Sequence, residues 1–315
     1  MTAQGPLDLI GIGECMVEFR AEPVAGRTDL MRMAWGGDVM NSLVHASRLG
    51  LKVGFCSRVG ADAFGPWLRD GWAAEGIDLS HAPLVPGENG IYFITNDASG
   101  ERSFSYRRAG SAASQMDRTD LDEAWLRAGR FVLLSGITQA ISPSAAALTE
   151  AAAQAMGPAE GAAESGGGAV FDPNHRPALW ESRGGQAAAR AAFAAVAPHA
   201  AWLMPSYPDD TVLLGAPVAS AQDALAGFVS AGRGQVAMKM GGEGVLLAGP
   251  QGVTHVRGQK VTSIVDTTGA GDAWNAAFLA GLLRGKAPVE AAAAANAHAA
   301  GVLAYPGAVP AREES

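Results

Sequence analysis

Cysteine is scarce in this 315-residue chain: Cys15 and Cys56 are the only two. Two thiols build neither a disulfide framework nor a thiolate zinc cluster, and they fit a reducing compartment. Positive charge is also short, with 23 Lys and Arg against 31 Asp and Glu, a net charge of −8. No long basic run appears, so nucleic acid is a poor choice of main partner. An anionic ligand must therefore be met by a few local cations. Long apolar runs are missing, because Gly, Pro or charge interrupts every Ala-rich stretch, and no membrane span is expected. Met1–Pro6 is short and polar, without the basic-then-apolar order of a signal peptide, and the expected location is the cytoplasm. Two common phosphate-binding signatures are absent as well. The nearest approach to a Walker loop, Gly281–Lys286, is misspaced and is followed by Ala287. Gly11-Ile12-Gly13-Glu14 lacks the third glycine, and the helix after it, of a dinucleotide fingerprint. A nicotinamide oxidoreductase is thereby disfavoured.

Apolar residues make up 48% of the chain, enough for one large α/β domain spanning 1–315. Short apolar runs read as strands at Leu7–Gly13, Val53–Val59, Arg130–Ser135, Ala169–Asp172, Ala201–Met204 and Gln235–Lys239. Helical stretches alternate with them: Asp38–Leu49, Asp62–Glu75, Ser142–Met156 and Gln186–Ala197. That alternation predicts a mainly parallel sheet covered on both faces. Two segments break the rhythm. Cys15–Trp35 and Ile91–Arg108 carry no helical period and read as hairpin material, the latter turning at Asn96–Gly100. They predict a small β lid made from about 15–35 and 88–112. Gly157–Gly168 reads as a surface loop.

The most informative stretch is Asp266-Thr267-Thr268-Gly269-Ala270-Gly271-Asp272, which runs directly into a helix-like segment. A helix N-terminus offers unpaired N–H groups and about half a positive charge, and small residues let a phosphate approach them. An acid in the first turn would repel that anion. Asp272 makes sense if it takes a proton from a hydroxyl that attacks phosphorus, which is the layout of a small-molecule kinase. Gly-Ala-Gly as a plain tight loop, with Asp272 as a simple cap, is the competing reading of those residues alone. Gly36-Gly37-Asp38-Val39-Met40-Asn41 precedes another helix; its glycines admit a ligand and Asn41 offers a two-sided polar group. Lys239-Met240-Gly241-Gly242-Glu243-Gly244 follows an apolar strand, where glycines suit a nucleotide or form an ordinary hairpin turn.

The order of these three motifs resembles the ribokinase-like (PfkB) carbohydrate kinases, with similarity from about Leu7 to Leu303. The resemblance implies a Rossmann-like α/β domain with a β lid, using ATP and magnesium. It implies that Asp272 is the base and that the amides of Gly269, Ala270 and Gly271 form an anion hole. Lys239, Gly241 and Gly244 would lie along the nucleotide path, with Asp266 and Thr268 of the catalytic loop on the same side and Asn296 near the adenine. Gly36, Gly37 and Asn41 would face the sugar. One departure is visible: the family's usual Asn-x-x-Glu is Ser206 and Asp209 here. Asp209 keeps an acid at that spacing, able to reach magnesium through water.

Tyr92, Tyr106 and Arg108 lie on the lid, and Arg108 shares a strand face with Tyr106. A second arginine, Arg176, follows a core strand. Arginine forks suit a carboxylate, so two of them fit a sugar acid better than a neutral sugar. Tyr106–Arg108 with Asp172, Asn174, Arg176, Leu179 and Trp180 is similar to the 2-keto-3-deoxygluconate kinases, which places Gly37, Tyr92, Tyr106, Arg108 and Arg176 around the acid. A fructokinase or nucleoside kinase of the same fold, and a binding protein that has lost catalysis, are the competing expectations. Exposed lid edges invite pairing with a second chain, so a dimer through the lids is expected.

Overall fold

The computed structural model describes residues 6–21, 29–96, 102–157, 167–232 and 235–311. The turn at Asn96–Gly100 and the loop at Gly157–Gly168 fall largely outside these residues.

The apolar runs form the predicted sheet. Among the described residues it has nine strands, in the order Gly252–Arg257, Gly244–Gly249, Val236–Lys239, Trp202–Leu203, Gly168–Asp172, Phe131–Ser135, Leu9–Ile12, Val53–Cys56 and Ile77–His81. All neighbours are parallel except the two pairings made by Gly244–Gly249, which are antiparallel. The central strands are buried at every position, as in Phe131–Ser135 and Leu9–Ile12. Burial on both faces explains why they read as continuous apolar runs and not as alternating ones.

Two expectations need correction. Val53–Val59 is not one strand: Val53–Cys56 stays in the main sheet, and Val59–Gly60 pairs separately with Leu84–Val85. The edge strand Ile77–His81 was not anticipated, because Asp78, Ser80 and His81 give an edge position too polar a signature. The Lys239–Gly244 segment is also a hairpin connection, since Val236–Lys239 and Gly244–Gly249 pair antiparallel.

The lid is a second sheet of four strands, ordered Met31–Gly36, Met16–Ala21, Ile91–Asn96, Arg102–Arg107. Register puts Glu18, Tyr92 and Tyr106 side by side on one face. Val17, Phe19 and Trp35 join the main core, with Phe19 edge-on to Phe64 at 6.1 Å.

The Ala270–Leu283 helix is buried almost all round. It lies against Asp38–Arg48 and Pro288–Val302. Gly281 permits this closeness, since a Cβ there would lie 2.7 Å from that of Ala291. A helix so enclosed has a fixed N-terminus. It is aimed at the carboxyl edge of the sheet, where Glu14, Ser135, Asp172, Ser206 and Lys239 follow or end successive strands. In open α/β sheets that edge is where ligands bind.

Candidate active site

Gly269 caps the buried helix in the left-handed region, at φ 75°. A Cβ there would come within 2.6 Å of Ala308, so only glycine fits. Ala308 belongs to a C-terminal segment strapped to the Asp38–Arg48 helix. Its carbonyl accepts from His45 Nε2 at 3.0 Å, and the Pro310 carbonyl accepts from Arg48 Nη1 at 2.6 Å. His298 lies 3.2 Å from the other ring nitrogen of His45. Burial, first of all, lowers the His45 pKa to about 4, which keeps the ring neutral.

Gly269 and Gly271 have amides without a backbone acceptor among the described residues, whereas that of Ala270 leans on Thr267 O at 3.3 Å. The anion hole expected from three amides therefore has two open donors and one weakly engaged. Asp272, in the first turn of the helix, accepts a 2.8 Å hydrogen bond from Asn41 Nδ2. Its carboxyl pKa is pushed up to about 8, chiefly by burial and then by the charge of Asp38, with Asn41 and Lys239 pulling the other way. A carboxylate that holds a proton this firmly is a competent base near neutral pH. Lys239 Nζ donates to Asp172 Oδ2 at 2.6 Å and to Asn275 Oδ1 at 3.1 Å. Asn275 Nδ2 closes the triangle at 2.6 Å from Asp172 Oδ2.

Two cavities meet here. One, of about 640 Å³, lies under the lid and takes in Gly36, Gly37, Asn41, Tyr92, Tyr106, Arg108, Arg176 and Asp272. The other, of about 600 Å³, is bounded by Asp209, Gly241, Gly244, Trp274 and Asn296. Ser206, Lys239, Thr267 and Gly271 border both. They form a waist through which one group could pass from one cavity to the other.

Several sequence-predicted residues carry contacts that the sequence does not reveal. Asp266 lines neither cavity; its buried carboxylate accepts from the amides of Thr268 at 2.9 Å and Gly307 at 2.8 Å and pairs with Arg20 at 3.1 Å. It shapes the loop. Thr268 borders the lid-side cavity, not the other. Asn296 is on the second cavity's wall, where its Nδ2 donates to Val256 O and Arg257 O at 3.2 and 2.9 Å and its Oδ1 accepts from Trp274 Nε1 at 2.8 Å, so it also braces that wall. Tyr92 gives its hydroxyl to Glu18 and stacks on Tyr106 at 5.9 Å between centroids. Burial and that carboxylate raise the Tyr92 pKa. Arg108 stands 2.6 Å from Glu14 Oε2, whereas Arg176 is exposed at the cavity rim, without an ion pair among the described residues. Asp209 is exposed on the second cavity; the buried acid is its neighbour Asp210, which accepts from the amides of Ser206 and His175 at 2.6 and 2.7 Å. Burial first, and then the charge of Asp172, lifts the Asp210 pKa to about 6.

Sequence reasoning missed Glu14, Asp38 and Asn275. Asp38 accepts from Ser135 and, at 3.0 Å, from Asn174 Nδ2. The acid inside the Gly36-Gly37 motif was visible, but its partners lie 97 and 136 positions away.

Paired cavities along one sheet edge, roofed by a second sheet, are the architecture of a sugar kinase. The profile of the pfkB family carbohydrate kinases matches residues 7–314, and the chain belongs to that family. It is 30% identical to a 2-dehydro-3-deoxygluconokinase of Thermoproteus tenax, over 99% of this chain and 94% of the relative. A crystal structure of a PfkB protein from Polaromonas sp. JS666 superposes with a TM-score of 0.82 at 31% identity, covering 93% of this chain and 95% of that one. A putative ribokinase II from E. coli, solved with ATP and Mg²⁺, superposes at 0.78 with 25% identity, covering 96% and 94%. The fold is ribokinase-like and the protein is a carbohydrate kinase. Among the described residues no helix is long and apolar enough to cross a membrane.

Proposed function

We propose that this kinase transfers the terminal phosphoryl group of ATP to the primary hydroxyl of 2-keto-3-deoxygluconate, giving the 6-phosphate. The observation that carries the reading is the position of Asp272. It borders the lid-side cavity one residue beyond Gly271, which belongs to the waist. The sugar lies under the lid, and the nucleotide occupies the cavity bounded by Gly241 and Gly244. Asp272 accepts the hydroxyl proton as the oxygen attacks phosphorus. The Gly269 and Gly271 amides hold the phosphoryl oxygens, where charge accumulates. Lys239, fixed by Asp172 and Asn275, adds a positive charge at the waist.

The donor set fits nucleotide and magnesium in a particular way. Among the described residues no group of three His, Cys, Asp or Glu side chains forms a metal cage. Asp209 is the acid on the nucleotide-side wall, and magnesium kept by phosphate oxygens and water needs no more than one or two carboxylates. When bound, the metal supplies charge neutralisation on the phosphates. A sugar acid is favoured over a neutral sugar by charge. Glu14 offsets Arg108, so Arg176 is the cation left to meet a carboxylate, and its fork bonds both oxygens. The chain acts as a single catalytic domain in the cytoplasm, paired with a second copy through the lids.

A panel of keto-deoxy acids, fructose, ribose and nucleosides, read by ADP release, tests the reading. Expected is a kcat/KM for 2-keto-3-deoxygluconate at least about tenfold above any neutral sugar, the worth of one charged hydrogen bond. A preference for fructose ends the sugar-acid assignment. Light scattering showing a monomer at micromolar concentration removes the lid-mediated dimer.

A further inference from the structure

Arg20 is on the lid, far in sequence from the loop that carries the catalytic acid, and it touches that loop. Its Nε donates to Glu18 Oε1 at 3.0 Å, and its Nη1 donates to Asp266 Oδ2 at 3.1 Å. Glu18 in turn accepts the Tyr92 hydroxyl on its other oxygen. Asp266 in turn accepts the amide of Thr268, which precedes the helix cap Gly269. The side chains are shielded: Asp266 is fully buried, Glu18 is 10% exposed and Arg20 is 19% exposed. One continuous set of charged hydrogen bonds therefore joins a tyrosine of the sugar cavity to the backbone of the phosphoryl cradle.

Each link is of a kind that transmits position. Glu18, Tyr92 and Arg20 lie on one face of the lid because their strands are in register. Charge-assisted bonds are shorter and stronger than neutral ones, and low solvent exposure keeps them so. Arginine alone among side chains can give Nε to one carboxylate and an Nη to another in a fixed plane. The Asp266 carboxylate holds the loop at three points, through Arg20, Thr268 N and Gly307 N. Without the guanidinium it would be a buried charge with fewer partners, and the loop would relax to satisfy it.

We propose that Arg20 is a positioning residue, coupling the seating of the lid on the sugar to the orientation of the Thr268–Gly271 amides. The inference rests on the assignment of those amides as the phosphoryl cradle. It predicts an effect on the chemical step and little on sugar binding, because Arg20 lines neither cavity.

The test is steady-state kinetics on full-length Arg20→Met, Arg20→Lys, Glu18→Gln and Asp266→Asn, with 2-keto-3-deoxygluconate and ATP, alongside thermal melts. Arg20→Met is expected to lower kcat about 5- to 30-fold, the range of coupling carried through such networks, with sugar KM changed less than about 3-fold. Arg20→Lys, which reaches one carboxylate but not both, recovers part of the loss. The double variant Arg20→Met/Asp266→Asn loses no more than the worse single one, since both break the same link. If Arg20→Met does not fold, Glu18→Gln, which keeps shape and removes charge, carries the same kcat prediction. A folded Arg20→Met with wild-type kcat and only a lower melting temperature overturns the inference, as do losses that simply add. Asp272→Asn separates this from the parent assignment: full turnover in that variant sinks the cradle reading itself. An inactive Asp272→Asn beside a fully active Arg20→Met sinks the coupling alone.

Discussion

The floor of the site and its lid are built on opposite plans. On the floor, Asp272 is bonded to Asn41, and Lys239 is locked between Asp172 and Asn275, all of them buried. Those dipoles are set before any ligand arrives, so they need no reorganisation as charge develops. The lid instead presents large rings to solvent: Phe104 is 43% exposed and Tyr106 42%. Such surfaces gain from burial only when something is placed against them. The difference leads to an expectation: the floor carries the chemistry of transfer, and the lid adds contacts to the sugar and, through Arg20, seats the catalytic loop.

The comparison is most severely tested by Asp272→Asn. It should cut kcat roughly 10²–10⁴-fold, the usual worth of a general base, with sugar KM nearly unchanged; a loss confined to KM would break the division. The same acid predicts a pH signature. Its carboxyl pKa rises from 3.8 to about 8 on folding, so between those values the folded enzyme retains a proton that the unfolded chain has lost. Its contribution to stability is therefore whole below about 4 and is lost as pH climbs through 8. Melting temperature should decline across that window in the wild type and decline less in Asp272→Asn. Turnover runs the other way, rising toward a plateau above pH 8 as the base is freed.

Next in size is Gly37→Ala, at the junction of the two regions. A Cβ there would sit 2.2 Å from the Glu14 carbonyl, which neither backbone can absorb. A stability loss of about 1–3 kcal/mol is expected from such overpacking, seen in a denaturant melt. An unchanged midpoint would show that the lid hinges more freely than its contacts suggest.

Arg176→Ala should raise KM for the keto-deoxy acid about 10- to 100-fold, the worth of a charged hydrogen bond, and leave kcat and any fructose activity alone. Arg176 follows a strand of the main sheet, so an equal loss for fructose would remove its role in telling an acid from a neutral sugar. The smallest effect is expected from Asp209→Asn. It should raise the magnesium concentration for half-maximal rate by less than about tenfold, because water can bridge the gap, and it is read by magnesium titration at saturating ATP.

Much of the floor was legible in sequence because its chemistry is contiguous. The glycine loop and Asp272 occupy adjacent positions, and helix physics assigns them a task. The strands were legible because burial on two faces leaves unbroken apolar runs. What escaped was held by partners distant along the chain. Lys239 was placed on the nucleotide path, but its bond to Asp172 spans 67 positions. Asp266 belongs to the right motif for a nucleotide contact, yet its partner Arg20 lies 246 positions away. For Asn296 the motif located the wall, but not the bonds to Trp274 and two carbonyls that hold its amide there. Position along a chain predicts neighbourhood; only packing decides which atoms remain available.

The strap formed by Ala308 and Pro310 has a practical consequence for anyone handling this enzyme. It packs against Gly269, so the segment that ends the described fold backs the cap of the helix that carries Asp272. Affinity handles, reporters and immobilisation linkers therefore belong at the opposite end of the polypeptide. A chain trimmed a few residues before Ala308 would keep its main sheet and still disappoint in assay, having lost a support that no inspection of the glycine loop alone would suggest keeping.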